Sequence, residues 1–120
     1  MIERIMDLPE HVAGFTARGK VTTEDYDNTI IPTVEEIFRR HDKARILFHL
    51  GDDFAGYDVG AAWDDTRLGV RHWSGWEKVA LVTDHDWLRH GFRALGFFMP
   101  GEVRIFAQDE LEHAKRWVAE

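Results

Sequence analysis

The sequence contains no cysteine, a single serine and no long apolar run. Without cysteine there is no disulfide framework, no thiolate chemistry and no cysteine-based zinc site. No stretch approaches the ~18 apolar residues that suggest a membrane-spanning helix. The first residues include Glu3 and Asp7, where a signal peptide needs an unbroken apolar segment. We therefore expect a cytoplasmic protein.

Positive charge is also scarce. The chain has 15 Lys and Arg against 22 Asp and Glu, which gives a formal net charge of -7. This charge repels phosphate backbones and anionic lipid surfaces at long range, so nucleic acid is not an expected partner. A length of 120 residues suits one domain, residues 1–120, with one core and at most one functional site.

His49, Asp52 and Asp53 follow one another at the end of a predicted central strand, where open α/β sheets place ligands. They suggest two interpretations, a metal or hydrolytic site and a purely structural cluster. Because His49 alternates with Phe48 and Leu50 in an apolar run, we favour a hydrogen-bonded core histidine. The two aspartates are then expected to cap a turn and the next helix.

The remaining residues form no recognisable catalytic or metal-binding motif. His85 and His90 are five residues apart, whereas two ligands on one helical face are usually spaced i, i+4. No nucleophile motif and no glycine-rich phosphate loop is present. We therefore predict that the protein is not an enzyme and has no catalytic residue, metal or cofactor.

Apolar periodicity predicts alternating strands and helices. The predicted strands cover residues 2–5, 12–21, 45–50, 78–83 and 103–107. The predicted helices cover about 23–40, 59–73, 86–98 and the stretch after Asp109, where Asp109 and Glu112 resemble a capping box. Pro32 should kink the first helix. The order ββαβαβαβα predicts an α/β domain with a mostly parallel five-stranded sheet, an antiparallel N-terminal strand pair and four helices.

Two segments carry a resemblance to a known family. They read AAWDDTRLGVRHWSGWEKVALVTDHDWLRHG, from residue 61, and EVRIFAQDELEHAKRWV, from residue 102. With the element order, they resemble the SpoIIAA-like family, a branch of the STAS superfamily with structural kinship to Sec14/CRAL-TRIO lipid-carrier domains. The resemblance covers essentially the whole chain and implies a STAS-like fold.

One activity implied by the superfamily does not transfer to this chain. Anti-sigma-factor antagonists switch by phosphorylation of a serine or threonine in the loop after the strand that corresponds to residues 45–50. Here that loop, residues 51–58, reads GDDFAGYD and has neither residue, and the sole serine, Ser74, lies beyond the next helix. We therefore expect no phosphoserine switch of this type.

An unusual concentration of aromatic residues lies on the two central helices. Adjacent residues on a helix point about 100° apart, so Phe97 and Phe98 do not easily both face the core. With the pliable Met99, they predict the lip of an apolar cleft between the helices, although packing at the bottom of the core is the alternative. The expected ligand-binding residues are Trp63, Val70, Trp73, Trp87, Phe92, Leu95, Phe97, Phe98 and Met99.

These observations predict a non-enzymatic module that binds an apolar small molecule, and the Sec14-like kinship makes a lipid or fatty-acid-like ligand the concrete version. The alternative is a signalling or scaffold protein that acts through protein contacts. A short edge strand and exposed aromatics also predict a symmetric homodimer. The same apolar surface is compatible with a peripheral membrane contact.

Overall fold

The computed structural model describes the backbone of residues 1–120 and every side chain except that of Asp64. The Asp64 side chain, which belongs to one of the segments that carry the family resemblance, therefore lies outside the described part. The strands are β1 (Ile2–Arg4), β2 (Val12–Val21), β3 (Ala44–Tyr57), β4 (Trp76–Val82) and β5 (Glu102–Phe106). The helices are α1 (residues 23–40), α2 (Val59–Arg71), α3 (Asp86–Gly96) and α4 (Leu111–Ala119).

The five strands form one sheet in the order β1-β2-β3-β4-β5. β1 and β2 are antiparallel, and every other neighbouring pair is parallel. This arrangement confirms the predicted α/β fold with its antiparallel N-terminal pair. β1 is only three residues long and lies at the sheet edge, which is where a short strand is expected.

The sheet separates two apolar layers. Because the parallel strands follow one another in sequence order, right-handed crossovers place α1, α2 and α3 on the same face. Phe15, Phe48 and Leu81 belong to the core beneath these three helices. On the opposite face α4 packs Trp117 against the sheet, in a smaller core that includes Leu47.

Helix α1 contains a π-helical turn, Tyr26–Ile30, between the α-helical segments Thr23–Asp25 and Ile31–Arg40. The backbone N–H of Ile31 donates to the carbonyl of Tyr26, five residues earlier. Pro32 follows at once and has no N–H for the regular helical bond. The wider turn therefore lies directly before the proline, where the sequence predicts an irregularity.

The predicted loop at residues 51–58 is wrong. β3 continues to Tyr57 and stays paired with β2, whose Lys20 and Val21 lie beside Gly56 and Tyr57. Two register shifts in β2 near Gly19 accommodate this extension, and both Gly19 and Gly56 have positive φ angles. Glycine adopts such angles without strain, so the irregular end of the strand pair is built on these two residues.

The predicted capping residues are also wrong. Asp52 and Asp53 lie within β3, and the N-cap of α2 is Asp58, which accepts a hydrogen bond from the Ala61 N–H at 2.7 Å. Before α4, the Glu110 carboxylate accepts from the Ala107 N–H at 2.8 Å, a role predicted for the Asp109 and Glu112 pair. A short 3-10 turn, Gln108–Glu110, shifts the cap to this position.

Candidate functional site

Helix α2 has two different faces. Ala61 and Leu68 are buried against the core, whereas Val59, Trp63 and Val70 are 89%, 63% and 66% exposed. Val59, Trp63 and Val70 therefore form an apolar stripe on the outward face of this helix, whereas Ala61 and Leu68 pack inward. Large apolar side chains on an outward helical face commonly mark a contact surface.

A groove of about 390 Å³ lies between α2 and α3. This volume is within the range of small-molecule sites, which are mostly apolar with a few polar groups. Its lining combines both helices and the residues that follow them: Asp65, Thr66, Gly69, Val70, Trp73, Trp87, Leu88, Gly91, Phe92, Leu95 and Met99. Open space lies beside Gly69 and Gly91, where an added Cβ atom would meet no atom within 4 Å.

The structure brings together six of the nine side chains that the sequence predicts as ligand-binding. Val70, Trp73, Trp87, Phe92, Leu95 and Met99 line the groove between α2 and α3. The other three lie elsewhere. Phe97 lines a separate shallow hollow beside Val103, and Phe98 is 78% exposed and lines neither cavity. Their exposure rules out the alternative in which they fill the core.

Trp63 lines a second groove, of about 500 Å³, between α1 and α2. Ile31 and Val70 contribute apolar surface there, and Val70 is shared with the first groove. The rim of the second groove is more polar, with Asp27, Glu35, Arg67 and Arg71. The exposed stripe of α2 thus runs along the border between two grooves of different polarity.

A buried polar pair lies beneath the groove between α2 and α3. The Tyr26 hydroxyl donates to the Asp65 carboxylate, with 2.6 Å between Oη and Oδ1. Tyr26 is fully buried, and its ring lies 6.2 Å from the ring of Tyr57. Asp65 is partly buried and lines the groove. The groove therefore has one carboxylate in an otherwise apolar setting.

Burial raises the pKa of Asp65, and the hydrogen bond from Tyr26 opposes this shift only in part. Burial also raises the pKa of Tyr26 and of Tyr57, and the nearby Asp65 charge adds to both shifts. Both phenols therefore stay neutral at physiological pH. Nothing in the sequence predicts this cluster, because Tyr26 and Asp65 are 39 residues apart and belong to no motif.

His49 is partly buried, and its Nδ1 lies 3.3 Å from the Thr16 hydroxyl. Burial lowers its pKa, with a further contribution from the positive charge of Arg18. Asp53 points to the same arginine, at 3.9 Å. Among the residues whose side chains are described, no three His, Asp or Glu come together as ligands for a metal ion.

Arg89 on α3 has a structural role. Arg89 donates from Nη1 to the backbone carbonyls of Thr83 and Phe106, at 2.8 and 3.2 Å. It therefore ties the ends of β4 and β5 to α3 and is not a free surface charge.

Within the described chain, no helix is long and apolar enough to cross a membrane.

Comparison with known proteins supports one family. A family model described as SpoIIAA-like matches residues 12–119. A crystal structure of an uncharacterized protein from the DUF3478 family with a SpoIIAA-like fold, from Shewanella loihica PV-4, is 27% identical with a TM-score of 0.72. The match covers 98% of this chain and 93% of that chain. No curated protein matches significantly.

Proposed function

Because the chain belongs to the SpoIIAA-like family, we propose that it is a non-enzymatic module that binds an apolar, lipid-like small molecule. The site is the groove between α2 and α3. Domains of this fold are typically non-enzymatic. The single observation that carries the proposal is the groove itself, with about 390 Å³ of space between mostly apolar walls.

The groove walls suit an alkyl chain. Trp73 and Phe92 offer flat aromatic surface, and Met99 adds a flexible thioether that adapts to irregular ligands. Transfer of apolar ligand surface from water to such walls contributes roughly 25 cal/mol per Å². A ligand chain would also cover part of Trp87, which is 62% exposed without one.

The outward stripe of α2 supports a transient membrane contact during ligand loading. Val59, Trp63 and Val70 are exposed apolar side chains on this helix, and Val70 also lines the groove. The net charge of -7 disfavours long-range attraction to anionic lipids, so this contact depends on apolar insertion. Binding to neutral vesicles should therefore exceed binding to anionic vesicles of the same size.

The same stripe also favours a second candidate function, a scaffold that acts through protein contacts. A partner that covers Val59 and Trp63 would bury large apolar side chains, which often dominate interface energies. In that case α2 would be a docking surface and the neighbouring groove would stay empty. The two functions differ in whether a small molecule occupies the groove.

Two measurements test the proposed function. Native mass spectrometry of protein purified from cells should detect a co-purifying apolar molecule. A titration with a neutral fluorescent apolar probe should saturate, and Leu95→Asp should weaken binding about tenfold or more because it places a carboxylate in the groove wall. Ala94→Asp is the matched control, since Ala94 is exposed on the same helix.

Each outcome separates the two candidates. Saturable probe binding that Leu95→Asp weakens and Ala94→Asp preserves supports the ligand-binding function. A wild-type protein that carries no small molecule and binds no probe contradicts that function and favours the scaffold. Equal effects of both substitutions would place the probe outside the groove.

A further inference from the structure

The Asp65 carboxylate is the one ionisable group among the residues that line the groove between α2 and α3. One of its oxygens, Oδ1, is occupied by the Tyr26 hydroxyl at 2.6 Å. No other hydrogen bond and no ion pair joins Asp65 to the described side chains. The second oxygen, Oδ2, therefore has no partner among the described side chains, and it is not among the buried polar atoms that lack one, so it keeps contact with solvent.

The Asp65 carboxylate should favour some ligand head groups over others. In its ionised form the Asp65 carboxylate only accepts hydrogen bonds, and Tyr26 has already committed its hydroxyl proton to Oδ1. No lysine, arginine or histidine lines the groove to neutralise an anionic ligand. A second carboxylate placed here would meet like charge in a partly desolvated setting, which is unfavourable unless the two groups share a proton.

We propose that Asp65 recognises the polar head of the ligand, and that this head is a hydrogen-bond donor such as an alcohol or an amine and not a fatty-acid carboxylate. This inference rests on the proposed function and narrows its ligand class. The alkyl chain lies against Trp73, Phe92 and Met99, and the head reaches the carboxylate from the groove side.

The expected change in ligand affinity follows from the type of hydrogen bond. A hydrogen bond to a charged group is typically stronger than one between neutral groups, and losing it with a buried partner left unpaired changes affinity by about tenfold or more. Chain length and apolar contacts are equal for ligands of the same carbon count. A matched series therefore isolates the head group.

The test displaces a neutral fluorescent apolar probe with decanol, decylamine and decanoate at pH 8. We expect decanol and decylamine to displace the probe from wild type at concentrations about tenfold or more below that of decanoate. Asp65→Asn should remove most of this preference, because an amide offers a donor to the decanoate head and no charge to the amine. Tyr26 still has an acceptor at the Asn side chain, so the fold is expected to persist.

Asp86→Asn is the matched control. It makes the same change in net charge, and Asp86 is exposed at the start of α3. Its ligand ranking should equal that of wild type, which separates recognition at the groove from general attraction of the cationic amine. Decanol and decylamine differ in charge, so their order shows whether an alcohol or an amine fits better.

The outcomes are distinct. If wild type binds the probe but decanoate competes as well as decanol, or if Asp65→Asn leaves the ranking unchanged, the role of Asp65 is refuted while the groove function stands. If wild type binds no probe at all, the proposed function fails and this inference with it. Should Asp65→Asn melt below the assay temperature, the wild-type ranking alone decides.

Discussion

Filling the groove should raise the stability of the protein while it abolishes ligand binding. Gly91 lies on α3, lines the groove and is exposed, and a Cβ atom there would meet no atom within 4 Å. Gly91→Leu places a branched side chain into the space that the ligand is proposed to occupy. Most substitutions that impair binding also destabilise, so opposite signs in the two measurements are diagnostic.

The expected stabilisation comes from helix propensity. Glycine within a helix costs up to about 1 kcal/mol relative to alanine, and leucine costs little, so Gly91→Leu should gain about 0.7 kcal/mol. For a domain of this size that gain raises the melting temperature by about 2–4 °C. Affinity for the apolar probe should fall about tenfold or more, because the leucine occupies part of the 390 Å³.

A second glycine provides the matched control. A Cβ atom at Gly60, near the start of α2, would collide with the Thr23 hydroxyl. Gly60→Ala should therefore lower the melting temperature and leave the groove unchanged. Differential scanning calorimetry and a probe titration give both quantities for each variant. A lower melting temperature for Gly91→Leu would contradict the expected gain in helix stability. Full probe affinity in this variant would contradict a ligand in the space beside Gly91.

Three further predictions address other parts of the structure. Phe98→Asp should change the free energy of unfolding by less than about 0.5 kcal/mol in urea denaturation, because Phe98 is 78% exposed. Asp65→Asn should gain stability relative to wild type as pH rises from about 4. Burial raises the pKa of Asp65 in the folded protein, so wild type loses stability as pH rises through this folded-state pKa. Tyr26 and Tyr57 stay neutral over this range. Sedimentation velocity at micromolar concentration should detect a homodimer, and a monomer throughout would contradict the edge-strand argument.

Much of the fold follows from local sequence patterns. The runs at residues 45–50 and 78–83 are nearly continuously apolar because both faces of β3 and β4 are covered, by α1–α3 on one side and α4 on the other. The residues Leu88, Phe92 and Leu95 recur at helical spacing, which predicts a helix here, and all three side chains line the groove. Element type follows from periodicity, and the mostly parallel sheet with its antiparallel first pair follows from the element order.

Apolar periodicity does not predict which face of α2 packs against the core. Its sequence has two stripes at helical spacing, one with Val59, Trp63 and Val70 and one with Ala61 and Leu68. Hydrophobicity selects the first stripe, whereas the second packs inward. Gly60 allows close approach of α2 to Thr23 of α1, and this tertiary constraint has no local signature.

The sequence does not predict the buried pair of Tyr26 and Asp65 or the extension of β3, for related reasons. Residues 51–57 contain turn-forming Gly and Asp, yet Phe54, Gly56 and Tyr57 pair with β2 and the segment continues the strand. The pair of Tyr26 and Asp65 depends on the contact between α1 and α2. Such pairs arise from the assembled fold, so a structure is needed to find them.

If an apolar ligand enters the groove between α2 and α3, methyl NMR during a decanol titration will detect it there. Groove methyl groups belong to Val70, Leu88, Leu95 and Met99. Buried methyl groups on the opposite sheet face belong to Leu47 and Val118. We expect saturable chemical-shift changes in the groove methyl groups, the first set, and little change in those on the opposite sheet face. Shifts that avoid the first set, or none at all up to the solubility of decanol, would contradict it.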